Sequence, residues 1–386
     1  MSSEPSTMKT RSGKMKLRKV IQKTAKASIN MVLPFSSSRN SKSRNKAIRV
    51  AMVVALSLIV LFFLHNLMYA NPYDYIPDLP VDYKVDSKCT NLAAIKPSGT
   101  FTVDPKVHNV PTLEKISPSF KIGSYIGPKV AYHMDTDAES FDLIKELLDG
   151  KEGGLTFDMG ANQGFFTYYL ATLGMQVHSF EISKQNFVAL QHGTTFNPKE
   201  VSDRVNLYSV GLGEKTAHFS MKGGQYGGYL KEGKGGDILG TTFDCFAHHS
   251  KLDLRNVAFV KLDVEGFEIG VLKGAHNSLF HETSSIGGMI MEVGPDRWNR
   301  AQIDLATGTT EMKKLATHFK KSYILIRKGG GHAKTCPTTL AKTLSNKVFR
   351  EMANVDMYEV RDDEWEPLMA EMEKTGMDCN FWYTNK

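Results

Sequence analysis

The chain has 386 residues, 41% of them hydrophobic and 23% charged, which is globular composition with material for one domain of about 250 residues plus appendages. Its formal net charge of +7 misleads, because residues 1–49 hold 13 Lys/Arg against the single acid Glu4, leaving 35 Lys/Arg against 40 Asp/Glu in the remainder. A mildly acidic folded part excludes the basic footprint of a nucleic-acid binder, and the four cysteines lack the C-x-x-C spacing of a zinc site.

Residues 1–49 are basic, serine-rich and nearly free of acid, the composition of a cytoplasmic tail without a core. Residues 50–69, VAMVVALSLIVLFFLHNLMY, follow. At about 1.5 Å per residue they are long enough to cross a hydrocarbon layer of about 30 Å, so a transmembrane helix is predicted there. A cleaved signal peptide is disfavoured by the long basic region and by Met68-Tyr69-Ala70, which lacks a small residue three before a cut. A signal anchor and an organelle transit peptide followed by an inner-membrane anchor remain. The positive-inside rule makes the first a single-pass type II protein of the endoplasmic reticulum or Golgi. His65 and Asn66 shorten the apolar run, which suits a thin early-secretory bilayer. Residues 70–119, with seven prolines between Pro72 and Pro118, read as an extended stem, and residues 120–386 as the domain.

The domain opens on a capping box, Thr136 to Glu139, and an apolar helical stripe of Phe141, Ile144, Leu147 and Leu148. Leu155–Phe157 predict a short buried strand closed by Asp158. Gly160 and Gly164 then bracket a turn into the helix FFTYYLATLG. Met175–Phe180 is a second strand, ended by Glu181; QNFVALQHG is a helix; Val205–Val210 is a third strand. GGQYGGYLKEGKGGDILG, with eight glycines, reads as a solvated insertion or as a lid carrying Tyr226 and Tyr229. Val257–Val264 and Ile286–Val293 are the fourth and fifth strands, with a helix over Glu268–Phe280 between them. Tyr323–Ile326 and Phe381–Thr384 are candidates for a last hairpin-like pair, and Met352–Lys374 reads as helical filler. This alternation gives an α/β fold, doubly wound and Rossmann-like, with a mostly parallel sheet.

The strand, glycine turn and helix around Gly160 place backbone and a helix N-terminus beside a ligand. A dinucleotide fingerprint needs G-x-G-x-x-G, but position 162 is Asn162, and D-x-G-x-x-x-G disfavours a pyrophosphate. Glu181, 21 residues beyond Gly160, stands where a carboxylate accepts hydrogen bonds from ribose hydroxyls. Together these features fit a nucleoside without a pyrophosphate.

With DMGANQG in place, the segment TTFDCFAHHSKLDLRNVAFVKLDVEGFEIGVLKGA, Thr241–Ala275, resembles the FkbM-type family of class I S-adenosylmethionine-dependent methyltransferases. Ile182 departs from the proline that the family often has there. The resemblance covers about Phe141 to Val293 and implies S-adenosylmethionine as cofactor. It implies a cradle of Asp158, Gly160, Asn162, Gly164 and Glu181, with Asp158 fixing the turn or binding the cofactor's amino group through water.

Alternation along a strand puts Lys261, Asp263 and Glu265 on one face. An ammonium and two carboxylates are costly to bury unpaired, so mutual neutralisation near the cleft is expected. Three roles stay open: a structural ion-pair network, Asp263 as general base, or a divalent cation held by Asp263, Glu265 and Glu292. Trp298, in EVGPDRWN, is either a sugar-stacking ring beside the acceptor or a packing residue; His248 and His249 read as solvated surface. Cys89, Cys245, Cys336 and Cys379 allow two disulfides in one of three connectivities, or thiols that stay reduced. The resulting expectation is a membrane-anchored O-methyltransferase acting on a hydroxyl acceptor, of a glycan or glycolipid. A catalytically silent scaffold is the alternative, and the missing middle glycine argues against an NAD-type oxidoreductase.

Overall fold

The computed structural model describes residues 89, 104–111, 116–130, 138–222, 229–232, 238–281, 284–328, 336–345 and 347–386. The expected tail, membrane span, Thr136 cap and Tyr226 lie outside the described residues, as does most of the expected stem. Among the described residues no helix is long and apolar enough to cross a membrane.

The strands are β1 (His108–Pro111), β2 (Lys121–Ser124), β3 (Leu155–Met159), β4 (Gln176–Phe180), β5 (Val205–Tyr208), β6 (Gly211–Leu212), β7 (Ala217–Lys222), β8 (Tyr229–Glu232) and β9 (Ile238–Thr241). They continue as β10 (Asn256–Leu262), β11 (Ser285–Ile286), β12 (Gly288–Val293), β13 (Lys321–Arg327), β14 (Arg350–Glu351), β15 (Val355–Glu359) and β16 (Cys379–Thr384). The helices are α1 (Ala138–Leu148), α2 (Phe165–Thr172), α3 (Lys184–Phe196), α4 (Lys199–Ser202), α5 (Phe243–Ser250), α6 (Glu268–Gly274), α7 (Leu305–Thr317) and α8 (Trp365–Thr375).

The central sheet has the order β14-β15-β13-β16-β12-β10-β3-β4-β5, with β11 beside β10. From β12 to β5 every neighbour is parallel; from β12 outward through β16, β13, β15 and β14 every neighbour is antiparallel. The parallel half follows from strand, helix, strand alternation, since a parallel return needs a crossover. The antiparallel half forms as chain segments return alongside β12. Tyr323 faces Trp382 and Ile324 faces Phe381, as the expected hairpin-like pair requires. Met352–Lys374 is helical only in its second part, because Val355–Glu359 alternates Val355 and Met357 inward and pairs with β13.

Successive residues of the central strands enter different cores. Phe157, Val260 and Met289 pack with Phe243, Ile269 and Met312 of α5, α6 and α7, while Phe259 and Ile290 pack with Ile144, Tyr168 and Leu190 of α1, α2 and α3. Two apolar layers therefore enclose the sheet, which makes this a mixed α/β sandwich with helices on both faces. On the first face Phe157, Phe180, Phe243 and Phe246 pack edge-on, with Phe157 and Phe243 centroids 4.9 Å apart. Each such buried ring contributes about 1.5–3 kcal/mol, so the carboxyl ends of β3 and β4 rest on a rigid floor.

The folded unit begins before Phe120. β1 pairs antiparallel with β2, and Val107 and Val110 are buried. All four cysteines are bonded, as Cys89–Cys245 and Cys336–Cys379, which selects one of the three possible pairings. Parts of the glycine-rich segment are strands, since β6, β9, β7 and β8 form a second sheet. β8 runs within 8 Å, Cα to Cα, of the turn Pro295–Ala301. The expected helix over Glu268–Phe280 ends early, at Gly274.

Candidate active site

Parallel register collects the polar residues at one sheet edge. Asp158 of β3 stands opposite Lys261 of β10 on one side and Ser179 of β4 on the other. Asp158 is fully buried; its Oδ2 accepts Thr167 Oγ1 at 2.6 Å, and Thr167 Oγ1 lies 2.8 Å from Ser179 Oγ. Burial raises the Asp158 pKa against the opposing pull of Lys261 and Thr167. Asp158 thereby holds α2 to β3 through Thr167.

The turn after β3 is set by close approach. Gly160 has φ +87°, and a β-carbon there would collide with the carbonyl oxygen of Asp263. Only glycine satisfies both conditions. Asn162 also lies in the left-handed region, at φ 51°, and Gly164 caps α2 at φ 96°. Glu181 is 7% exposed, and its carboxylate joins the turn to the start of α3: Oε2 accepts Asn162 N–H at 2.7 Å and Oε1 accepts Ser183 N–H at 2.6 Å. Burial pushes Glu181 up to about 7, although both amides favour its ionised form.

Lys261, 4% exposed, links this turn to the next strand end. Its Nζ donates to Gly160 O at 2.6 Å, lies 3.3 Å from Asp263 Oδ2 and 3.6 Å from Asp158 Oδ1, and sits 5.5 Å from the Phe166 ring centroid. Burial lowers the Lys261 pKa, but Asp263 and Asp158 outweigh it and the ammonium stays above its ordinary value. The expected neutralisation is present between Lys261 and Asp263, but the second carboxylate at Lys261 is Asp158 rather than Glu265. Asp263 keeps about a third of its side chain in solvent, 34%.

Glu265 does not share the alternating face expected of it. β10 ends at Leu262, and Glu265 sits in a loop at φ 57°. Its partners are Arg297 Nη1, 2.5 Å from Oε2, and Arg300 Nη1, which donates to Glu265 O at 3.1 Å. Burial and the charge of Asp263 raise the Glu265 pKa, while Arg297 and Arg300 lower it. Arg297 also lies 3.4 Å from Glu292 Oε2 and pairs with Asp378. Next to Glu265, Gly266 has φ +99° and lies where a β-carbon would strike Arg297 O. Glu268 then closes the loop: Oε1 accepts Gly266 N–H at 2.9 Å and Val264 N–H at 3.1 Å, and burial pushes its carboxyl up to about 7.

Oxygen atoms of Asp263, Glu265 and Glu292 lie within 4.8 Å of one another, so the trio expected as a cation site does converge. Sequence reasoning missed Arg297 and Asp378, the charges that organise this rim. The available signal for Arg297 was a pair of arginines, Arg297 and Arg300, after the fifth strand; Asp378, about eighty residues further on, had none. Trp298 is not at the acceptor side: it is fully buried, and its indole fills the place that a side chain at residue 308 would need, which Gly308 leaves open. His248 is exposed as expected, whereas His249 is half-buried with its Nε2 enclosed beside the Cys89–Cys245 bond.

The cradle fits a donor-rich ligand. Asp158 Oδ1 and Asn162 Oδ1 are enclosed and have no hydrogen-bond donor, and each oxygen of Glu181 retains accepting capacity beyond its one amide. Acceptors of this kind match the amino and hydroxyl groups of a nucleoside that carries an amino-acid side arm.

Residues 158–313 match the family described as methyltransferase FkbM domain. The fold is similar to a precorrin-6y C5,15-methyltransferase from Geobacter metallireducens GS-15, at 11% identity over 63% of this chain and 86% of that one, with a TM-score of 0.30. It is also similar to a SAM-dependent methyltransferase from Agrobacterium tumefaciens, at 8% identity over 74% and 72%, with a TM-score of 0.35. No curated protein matches the chain. Residues 158–313, which carry the cradle and all of the rim except Asp378, match the methyltransferase FkbM domain, and this match supports an S-adenosylmethionine-dependent methyltransferase.

Proposed function

We propose that the protein is a membrane-anchored O-methyltransferase whose acceptor is a hydroxyl of a glycan or glycolipid. The observation that carries the reading is Asp263, a partly exposed carboxylate braced by Lys261, which in turn donates to the carbonyl of Gly160 in the cofactor turn. The position of a base is thus tied to the position of the cradle. When bound, S-adenosylmethionine supplies an electrophilic methyl group on a sulfonium.

Glu181, Asp158 and Asn162 would hold the cofactor: Glu181 at the ribose hydroxyls, the other two through their undonated oxygens. Lys261 engages Oδ2 of Asp263 and leaves Oδ1 to accept the proton of the acceptor hydroxyl. Glu265, Glu292, Arg297 and Arg300 surround that carboxylate with donors and acceptors suited to the hydroxyls of a sugar. The basic residues 1–49 and apolar residues 50–69 support a type II topology in the endoplasmic reticulum or Golgi. The pairing of all four cysteines supports an oxidising lumen over an organelle interior.

Calorimetric titration with S-adenosylmethionine tests the cradle, and mass spectrometry of glycans incubated with protein and cofactor tests the acceptor. Binding with a mass gain of one methylene on a sugar is expected. No binding at millimolar cofactor refutes the reading, and binding without transfer to any hydroxyl library turns it into the scaffold alternative.

A further inference from the structure

Three carboxylates whose oxygens converge within 4.8 Å repel one another unless a cation lies among them. At this rim that cation is part of the chain. Arg297 places Nη1 2.5 Å from Glu265 and 3.4 Å from Glu292, its Nη2 pairs with Asp378, and only 17% of its side chain meets solvent. Lys261 takes the third member, Asp263, at 3.3 Å.

We infer that Arg297 acts as a fixed internal cation at the acceptor rim and takes the place a divalent metal would fill between Glu265, Glu292 and Asp263. The inference rests on the rim being the acceptor side of the proposed methyltransferase, and it selects the metal-independent form of that site.

The anchoring is what makes the arginine a permanent occupant. Asp378 comes from the residue preceding β16, is 12% exposed in its side chain, and packs its Oδ1 where a side chain at residue 294 would stand, which Gly294 leaves open. Cys379, next to it, is bonded to Cys336, and Cys336 N–H donates to Asp378 O at 3.0 Å. Gly266 packs against the Arg297 backbone. A planar guanidinium spans several carboxylates at once, which a single ammonium does not. Its charge also keeps Glu265 beside Asp263 without asking a hard cation to shed its water.

The experiment is a Mn²⁺ titration of the full chain followed by calorimetry and by electron paramagnetic resonance of free Mn²⁺, with S-adenosylmethionine affinity measured in parallel. Wild type is expected to bind no Mn²⁺ below about 1 mM, whereas Arg297→Met, which removes the guanidinium charge while keeping length, is expected to bind it at about 0.1 mM or tighter. Adding Glu265→Gln and Glu292→Gln to Arg297→Met should remove the acquired binding. Micromolar Mn²⁺ binding by wild type overturns the inference, and so does a folded Arg297→Met that binds none. Should Arg297→Met not fold, the wild-type titration still decides between the two outcomes. The cofactor titration separates this result from the proposed function, because the cradle does not include Arg297.

Discussion

The cradle and the rim lie at the same sheet edge, yet they are made of different materials. The cradle is shaped by backbone: Gly160, Asn162 and Gly164 in left-handed conformations, and a glutamate whose two oxygens each take an amide of the adjoining turns. The rim is shaped by charge: Lys261 against Asp158 and Asp263, and Arg297 against Glu265, Glu292 and Asp378. Backbone shape tolerates little substitution, which suits a constant ligand such as the proposed cofactor. Paired side chains can be exchanged one at a time, which suits the part of a methyltransferase that meets different acceptors. Lys261 connects the two, since it donates to the cradle and pairs with the rim.

The largest effect is expected at the proposed base of the rim. Asp263→Asn should lower transfer by about 10²–10⁴ while cofactor binding persists, because the amide cannot take the hydroxyl proton. Stability should change by less than about 1 kcal/mol, since Asp263 is a third exposed and Lys261 keeps Asp158 and the carbonyl of Gly160. Single-turnover assays beside denaturant unfolding measure both. Full activity in the stable variant would remove Asp263 from the mechanism and leave the rim as a structural network.

Gly160→Ala attacks the seam between the two regions. The added carbon meets the carbonyl of Asp263 in a left-handed backbone, so unfolding free energy should fall by about 2–4 kcal/mol. Cofactor affinity and transfer should fall together, unlike the split expected for Asp263→Asn. A variant with unchanged stability would show that cradle and rim are not in backbone contact.

The smallest effect separates two of the buried glutamates, Glu181 and Glu268, by pH. Glu181 and Glu268 both titrate near about 7 because of burial, above the ordinary 4.5. A raised carboxyl pKa means that the folded state binds the proton more tightly, so each contributes stability that is complete below about pH 4.5 and lost as pH rises through 7. Wild type should lose on the order of 1–3 kcal/mol per carboxyl between pH 5 and 8. Glu268→Gln should flatten that slope without altering cofactor affinity, whereas in wild type the affinity should rise with pH through 7 as Glu181 ionises. Chemical unfolding and calorimetry from pH 5 to 8 check both. A cofactor affinity that ignores pH would take the ribose away from Glu181.

What the sequence determined by itself is the part governed by local rules. Strand, glycine turn and helix around Asp158 to Gly164, the carboxylate at Glu181 and the five strands of the parallel half follow from hydrophobic periodicity, glycine placement and fixed spacing, all of them properties of short segments. Even the pairing of Tyr323–Ile326 with Phe381–Thr384 was visible as two matched apolar runs. What tertiary structure decided are contacts between segments with no local tie. Val355–Glu359 became a strand because β13 offered it an edge, and Trp298 entered the core because Gly308 leaves room for the indole. Glu265 left the alternating face because the chain turned at φ 57° against Arg297. Arg297 found Asp378 about eighty residues away, because an antiparallel strand returning beside β12 brings that carboxylate to the rim. Long-range electrostatic partners are set by where strands lie in the sheet, and a one-dimensional pattern does not contain that order.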